Sequence, residues 1–284
     1  MKQDQELKLL NIGCGSIFHP AWINFDITSS SPYVKSRDIR RGLPFANSEI
    51  DVCYCSHVLE HLTPGQAKIF LAECFRVLKP EGILRIVVPD LESIVRSYLE
   101  ALDQAKAGGS EAQPNYDWMI LELLDQSVRN VSGGEMGGYL RNPDIPNREF
   151  VAARIGMEAT QYWREGPLAA KVRPSLWLRL RTKRLSDVVR QTKLNLAKRF
   201  VYCLAGAEAQ LSFSEGLFRG AGEIHRWAYD SFSLGRLLAQ SRFVDIRVCR
   251  VDESGIPDFS YYELDAIGGQ VRKPDSLFME ARKV

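Results

Sequence analysis

Short apolar runs that each end in a glycine, an acid or a small polar residue recur early in this chain, and they constrain its fold more than any other feature. They occupy residues 7–12, 22–26, 50–55 and 83–88, with a weaker candidate at 33–39. Runs this short, bounded by turn residues, are typical of buried strands. The sequence therefore predicts a mostly parallel sheet covered on both faces.

A helix is predicted between the runs at 50–55 and 83–88, where Thr63 supplies an N-cap and Pro64 the first helical residue. Gly82 follows its end. Between residue 91 and about residue 222 the pattern is helical, with no clear strand. A capped helix at 231–240 and strands at 244–251 and 276–283 complete an α/β fold with a largely helical insertion.

Composition narrows the class of protein. The 284 residues are 45% hydrophobic and 25% charged, which is ordinary for a globular protein. No apolar run reaches the length of about 18 residues that a transmembrane helix needs, and the N-terminus lacks the apolar core of a secretory signal. Six scattered cysteines form no C-x-x-C pair. We expect a protein of the reducing cytoplasm.

Ligands of such sheets bind outside the carboxyl ends of the strands. The residues that follow the predicted strands are Gly13-Cys14-Gly15, Asp26, Asp38, Ser56 with His57, and Asp90. Although they are far apart in the sequence, we expect them to meet in one crevice.

The order of these features resembles the class I S-adenosylmethionine-dependent methyltransferases, in the subset called type 11. The likeness extends over residues 7–90 and about 222–284, and the block VLKPEGILRIVVPD carries it most clearly. It implies a Rossmann-like, doubly wound, seven-stranded sheet with an antiparallel last strand. It also implies a methyltransferase core at 1–90 and 223–284, interrupted by a helical insertion at 91–222 that caps the acceptor.

The resemblance implies S-adenosylmethionine as cofactor and assigns residues to it. Asn11, Gly13, Cys14 and Gly15 would face its methionine part, and Asp26 its ribose. Asp38 and Ile39 would lie beside the adenine, while Ser56 and His57 would close over the cofactor and face the acceptor. A weaker likeness of GEIHRWAYD and RKPDSLFMEARK to enzymes of cell-surface polysaccharides suggests a sugar or glycan hydroxyl or carboxyl as acceptor.

Three departures from the family pattern stand in the first turn. Asn11 replaces an acid, Ile17 replaces a third glycine, and only ten residues separate Gly15 from Asp26. The first crossover is therefore predicted to be a loop or a very short helix. Without a helix terminus to bind a pyrophosphate, a nicotinamide cofactor is disfavoured.

The segment SHVLEHL contains His57-x-x-Glu60-His61, the H-x-x-E-H pattern of an inverted zinc peptidase. In such a peptidase the helix continues through the motif. Here the motif directly follows a predicted strand, and Thr63-Pro64 interrupts the helix soon after His61. We therefore predict no metal site. Glu60 and His61 are expected at a capped helix start with a structural hydrogen bond.

His57 and His225 are the candidate general bases, because histidine titrates near the working pH. Asp90 is a candidate for orienting the acceptor, and Arg226 and Tyr229 for binding its acidic or sugar groups. The alternative for His225, Arg226 and Tyr229 is a structural knot that packs the insertion on the sheet, and the sequence does not decide between the two.

Residues 171–200 carry ten basic side chains and a single acid, Asp187. Leu178, Leu185, Val189, Leu196 and Phe200 add an apolar stripe at helical spacing. The favoured interpretation is a solvated charged face whose stripe packs on the domain, and the alternative is peripheral contact with an anionic membrane surface. Nucleic acid is disfavoured, because no aromatic-basic motif appears. A rival to the enzyme is a non-catalytic, cofactor- or anion-binding scaffold, whose sign would be an empty or blocked crevice.

Overall fold

The computed structural model describes residues 7–29, 31–109, 112–169 and 185–284. Its strands are β1 (Leu9–Ile12), β2 (Ile23–Asp26), β3 (Val34–Ser36), β4 (Ile50–Ser56), β5 (Leu78–Pro89), β6 (Phe243–Cys249), β7 (Ala266–Ile267), β8 (Gln270–Val271) and β9 (Ser276–Lys283). Seven of them form one sheet in the order β3-β2-β1-β4-β5-β9-β6, and β7 with β8 forms a small hairpin. Strand β9 pairs antiparallel with both β5 and β6, and the other pairings of the large sheet are parallel, which confirms the predicted fold class.

The described helices are α1 (Pro64–Val77), α2 (Leu91–Lys106), α3 (Ala112–Val128), α4 (Gly134–Arg141), α5 (Arg148–Ile155), α6 (Met157–Ala169), α7 (Leu185–Arg219) and α8 (Ser231–Gln240). Helix α1 begins as predicted, because Thr63 and Gln66 form a capping box and Pro64 occupies the first position. Helices α2 to α7 follow β5 and precede β6, at the place predicted for a helical insertion. None of the described helices is long and apolar enough to cross a bilayer.

A loop replaces the first crossover helix, as the short spacing predicts. Nδ2 of Asn11 holds this loop in place by donating to Ile17 O at 3.2 Å and to Asn24 Oδ1 at 3.1 Å. The sheet face beside the loop carries Trp22 and Tyr54, and Phe259 from the C-terminal segment packs against them. The C-terminal segment thus contributes to covering this face, while α1 and α8 pack on the opposite one.

Arg85 fastens the C-terminal segment to the sheet from inside. Its side chain is fully buried and forms ion pairs of 2.8 Å with both Asp265 and Glu280. A buried charge is tolerated only when it is paired and hydrogen-bonded, and the guanidinium meets both conditions here. The hairpin region is therefore held to β5 and β9.

Helices α2 to α6 contribute a core of their own, centred on Trp118, Met119 and Val151. The basic stretch is described only in part, since residues 170–184 lie outside the described residues, with Leu178 of the stripe among them. Leu196 and Phe200 are 68% and 64% exposed, so these two members of the stripe do not pack on the domain.

Candidate active site

Two cavities meet at the carboxyl end of β4. The first, which we call the turn cavity, has a volume of about 560 Å³ and contains the Gly13–Gly15 turn in its wall. The second, the insertion cavity, has a volume of about 380 Å³ and lies between the sheet edge and helices α3 and α4. His57, Glu158 and Lys273 line both cavities, so these three side chains mark the place where the two meet.

The glycine turn approaches the turn cavity with bare backbone. Gly13 has a φ of +71°, and a Cβ on it would lie 2.2 Å from Cγ2 of Val58. The amides of Gly13 and Cys14 both donate to Phe25 O, and the amide of Gly15 donates to Asp26 Oδ2 at 2.9 Å. Because these amides are already bonded within the protein, the turn offers no cradle for a phosphate.

Asn11 brings an unpartnered acceptor to the turn cavity. Its Nδ2 is used in holding the first loop, but its buried Oδ1 has no hydrogen-bond partner among the described residues. Such an atom calls for a ligand or a water with a donor group.

His57 is held in a strained conformation directly after β4. Its φ of +52° lies in the left-handed region, which is uncommon for a residue other than glycine and is often found at functional sites. Nε2 lies 3.0 Å from Ser276 Oγ, and Nδ1 lies 3.2 Å from Glu60 Oε1. A carboxylate, an imidazole and a hydroxyl therefore stand in a row where the cavities meet.

Glu60 remains charged despite its burial. Burial is the largest single influence on this carboxyl and would raise its pKa, but the hydrogen bond from His57 and the charges of His57, His61 and His225 together outweigh it and lower the pKa to about 2. His225 responds in the opposite sense, because burial lowers its pKa to about 3 against the attraction of Glu60. His225 is thus a neutral imidazole at neutral pH.

The SHVLEHL segment forms a 3₁₀ turn at Leu59–His61, separate from α1. The expected side-chain cap is absent from this turn and is found at Thr63 instead. The expected structural hydrogen bond is present, since Nδ1 of His61 lies 3.1 Å from Ile224 O.

The residues predicted to bind the cofactor divide into two groups. Those that line the turn cavity are Asn11, Gly13, Cys14, Gly15, Ser56 and His57. Asp26 stands at its edge through its bond to Gly15, whereas Asp38 and Ile39 are not in its wall. The carboxylate of Asp38 caps a short 3₁₀ turn and pairs with Arg40 at 2.9 Å, which lowers its pKa. The cofactor-binding roles of both groups stay predictions.

The three residues predicted to bind the acceptor, Asp90, Arg226 and Tyr229, are not in the wall of the insertion cavity. His225, which is predicted as a general base, lines the cavity, and that role stays a prediction. Asp90 caps α2 by accepting from the amide of Glu92, and the guanidinium of Arg226 donates to Arg219 O. The buried hydroxyl of Tyr229 has no partner among the described residues, and burial, followed by the charge of Glu60, raises its pKa to about 12. Substrate roles for Asp90, Arg226 and Tyr229 stay predictions.

Several groups at the junction were not identified from the sequence. Glu158 comes from α6, and Lys273 and Ser276 come from the end of the chain. Lys273 and Ser276 could have been identified from the sequence, because they lie in the RKPDSLFMEARK block. Nothing in the pattern of α6 singles out Glu158.

Residues 10–86 match a family described as "Methyltransferase domain", of the type 11 group. No curated protein sequence is significantly similar to the chain. Among solved structures, the chain resembles a SAM-dependent methyltransferase from Archaeoglobus fulgidus, with 11% identity, 98% of this chain and 86% of that chain covered, and a TM-score of 0.38. It also resembles the CurJ carbon methyltransferase, with 11% identity, 100% and 50% covered, and a TM-score of 0.39.

A further similar structure is the complex of the Haloferax volcanii Trm112 methyltransferase activator with a methyltransferase, at 16% identity and a TM-score of 0.26. It is matched over 34% of this chain and 51% of that one, so the alignment spans about half of its length. The family match over residues 10–86 and the observed sheet order agree. Residues 10–86 therefore match a methyltransferase domain, and the cofactor that this match implies is S-adenosylmethionine.

Proposed function

We propose that this protein transfers a methyl group from S-adenosylmethionine to a hydroxyl of a sugar or glycan. The observation that carries the proposal is the meeting of the two cavities at His57, Glu158 and Lys273. One cavity contains the family's glycine turn and the other lies under the helical insertion. A donor and an acceptor bound in these cavities would meet beside His57.

The turn cavity fits the cofactor. Its volume of about 560 Å³ lies in the usual range for ligand sites. The free Oδ1 of Asn11 is available to the ammonium of a methionine group, and a turn without free amides suits a cofactor that has no phosphate. The cavity is open among the described residues, which favours an enzyme over a scaffold with a blocked crevice.

The acceptor is proposed to be a hydroxyl, because the cations of the insertion cavity are already paired. Arg129 contacts Asp125 at 2.7 Å and Glu223 at 3.2 Å, and Lys273 contacts Glu158 at 3.0 Å. An acceptor carboxylate would have to compete for these cations, whereas a hydroxyl would not.

His57 is the proposed general base. Glu60 faces Nδ1 and fixes the ring, and the acceptor would have to displace or share the contact of Nε2 with Ser276 Oγ to deliver its proton there. When bound, S-adenosylmethionine supplies a methyl group already activated as a sulfonium. The acceptor oxygen would lose its proton to His57, and the site's main task would be to hold that oxygen in line with the methyl group.

The test is methyl transfer from labelled S-adenosylmethionine to a panel of free, nucleotide-linked and lipid-linked sugars. His57→Asn preserves a backbone tolerant of positive φ but removes the imidazole. We expect it to lower turnover by about 100-fold or more, with cofactor affinity within about threefold. His19→Asn, at a histidine that lines neither cavity, is the control. Unchanged turnover in His57→Asn would remove His57 as the base, and no transfer to any hydroxyl would overturn the proposed acceptor class.

A further inference from the structure

Glu60, His61 and His225 form a cluster beside the proposed acceptor site. A carboxylate oxygen and two imidazole nitrogens of these residues lie within 4.8 Å of one another, and all three residues line the insertion cavity. Two imidazoles with one carboxylate are the protein ligands of catalytic zinc and non-haem iron sites, which keep further coordination positions open.

The carboxylate of Glu60 has one side-chain partner among the described residues, Nδ1 of His57, and its second oxygen has none. Glu60 is 1% exposed, and its Oε2 makes no hydrogen bond among the described residues. Its one close ionic contact is Nδ1 of His57, at 3.2 Å from Oε1. A buried carboxylate with free lone pairs is costly, and a bound cation would satisfy them.

His61 is oriented as metal-binding histidines are. A carbonyl oxygen can only accept, so the contact of Nδ1 with Ile224 O at 3.1 Å places the proton on Nδ1. Nε2 is then left with its lone pair free. A bond from the second ring nitrogen to a backbone carbonyl is the usual device that fixes the tautomer of a ligating histidine.

The backbone holds the two parts of the cluster together. The amides of Arg226 and Trp227 both donate to Glu60 O, at 2.7 and 3.2 Å. The amide of His225 donates to Gln126 O at 2.9 Å. The rings of His61 and His225 pack edge to face, with their centroids 4.8 Å apart. The cluster is thus assembled before any ion binds.

The charges of the insertion cavity also favour a cation. Glu122, Glu158 and Glu223 each have a cationic partner, in Arg154, Lys273 and Arg129 respectively. Among the described acids in the wall, Glu60 and Asp275 have no ion pair with a lysine or an arginine, and Oδ1 of Asp275 has no hydrogen bond.

We propose that Glu60, His61 and His225 bind one divalent transition-metal ion, whose open positions take the acceptor's oxygen. Zinc draws its ligand atoms to about 3.3 Å apart, so side-chain shifts of about an ångström would close the site. A hydroxyl bound to such an ion gives up its proton more readily, and His57 is placed to receive it. The ion's role with the acceptor rests on the proposed function, but metal binding itself does not.

This ligand set differs from the one spelled by the H-x-x-E-H motif. His57 is not a member, because its two nitrogens face Glu60 and Ser276. The third ligand, His225, lies far along the chain and could not be identified by local spacing. The metal site thus reuses two residues of the motif without the peptidase helix.

The test is titration of the full, chelator-stripped chain with Co²⁺ and Zn²⁺, followed by calorimetry and by the visible absorption of Co²⁺. We expect one ion per chain, with an affinity about 100-fold or more lower in His61→Ala and in His225→Ala. His19→Ala, a matched loss of a histidine outside the cluster, should bind as the unmodified chain does. A cooperative thermal unfolding transition verifies that each variant is folded.

Absence of stoichiometric binding to the unmodified chain would overturn the metal site whatever the variants do. Equal affinity in His61→Ala, His225→Ala and the unmodified chain would overturn the ligand assignment. If the ion binds as expected but no sugar is methylated, the proposed function fails and the site stands. If sugars are methylated equally well with and without the ion, its proposed role at the acceptor is overturned.

Discussion

At the scale of single residues, the site depends on groups whose side chains have more than one contact. Asp26 accepts from the amide of Gly15 through Oδ2 and from the amide of Thr28 through Oδ1. His57 joins Glu60 to Ser276 in the same way. Asp26 thus positions Gly15 at the edge of the turn cavity, and His57 positions Glu60 and Ser276 where the two cavities meet.

Asp26→Ala should weaken the binding of S-adenosylmethionine by about 2–4 kcal/mol, because a charge-assisted pair of hydrogen bonds is lost. Calorimetric titration measures the change. Asp26→Asn keeps the shape and one acceptor oxygen, so it should retain part of the affinity. Equal affinity in Asp26→Ala and the unmodified chain would remove Asp26 from the site.

At the scale of elements, local signals in the sequence predicted what local physics determines. The start of α1 follows from Thr63 and Pro64 alone, and the loop after β1 follows from the short distance between Gly15 and Asp26. The junction of the cavities could not be predicted this way. Glu158 and Lys273 reach it through the packing of α6 and the C-terminal segment, which no sequence period encodes.

In the glycine turn, the structure requires glycine more strictly at Gly13 than at Gly15. Gly13 and Gly15 both have positive φ, but a Cβ would clash with Val58 only at Gly13. Gly15→Ala should therefore lower the free energy of unfolding by about 1 kcal/mol, and Gly13→Ala by about 1–3 kcal/mol more. Urea denaturation of the two variants measures the difference. Val58→Ala should recover part of the loss in Gly13→Ala, and equal losses in the two glycine variants would contradict the clash.

At the scale of the whole molecule, charged side chains fasten loops to the sheet and its helices. Arg85 does so inside the fold, and Arg76 with Glu73 does so near the surface. Arg76 donates to Leu43 O and Phe45 O, while Glu73 accepts from the amide of Leu43. The segment between β3 and β4 is thereby held against α1.

Glu73 should make stability depend on pH. Its hydrogen bond with Arg76 lowers the pKa of its carboxyl from 4.5 to about 2. The contribution is therefore fully present above pH 4.5 and lost as the pH falls toward about 2. Glu73→Gln should reduce the free energy of unfolding at pH 7. The difference between this variant and the unmodified chain should shrink as the pH falls from 4.5 to about 2. Glu92→Gln, at an exposed ion pair, is the control, and a pH-independent difference would contradict the assignment to Glu73.

The central claim is that the cavity beside the glycine turn binds S-adenosylmethionine, and calorimetric titration of the full chain tests it most directly. S-adenosylmethionine and S-adenosylhomocysteine should each bind once, with micromolar dissociation constants, and NADH should not bind, because the turn offers no free amides to a phosphate. Binding of NADH, or of neither sulfur compound, would contradict the account.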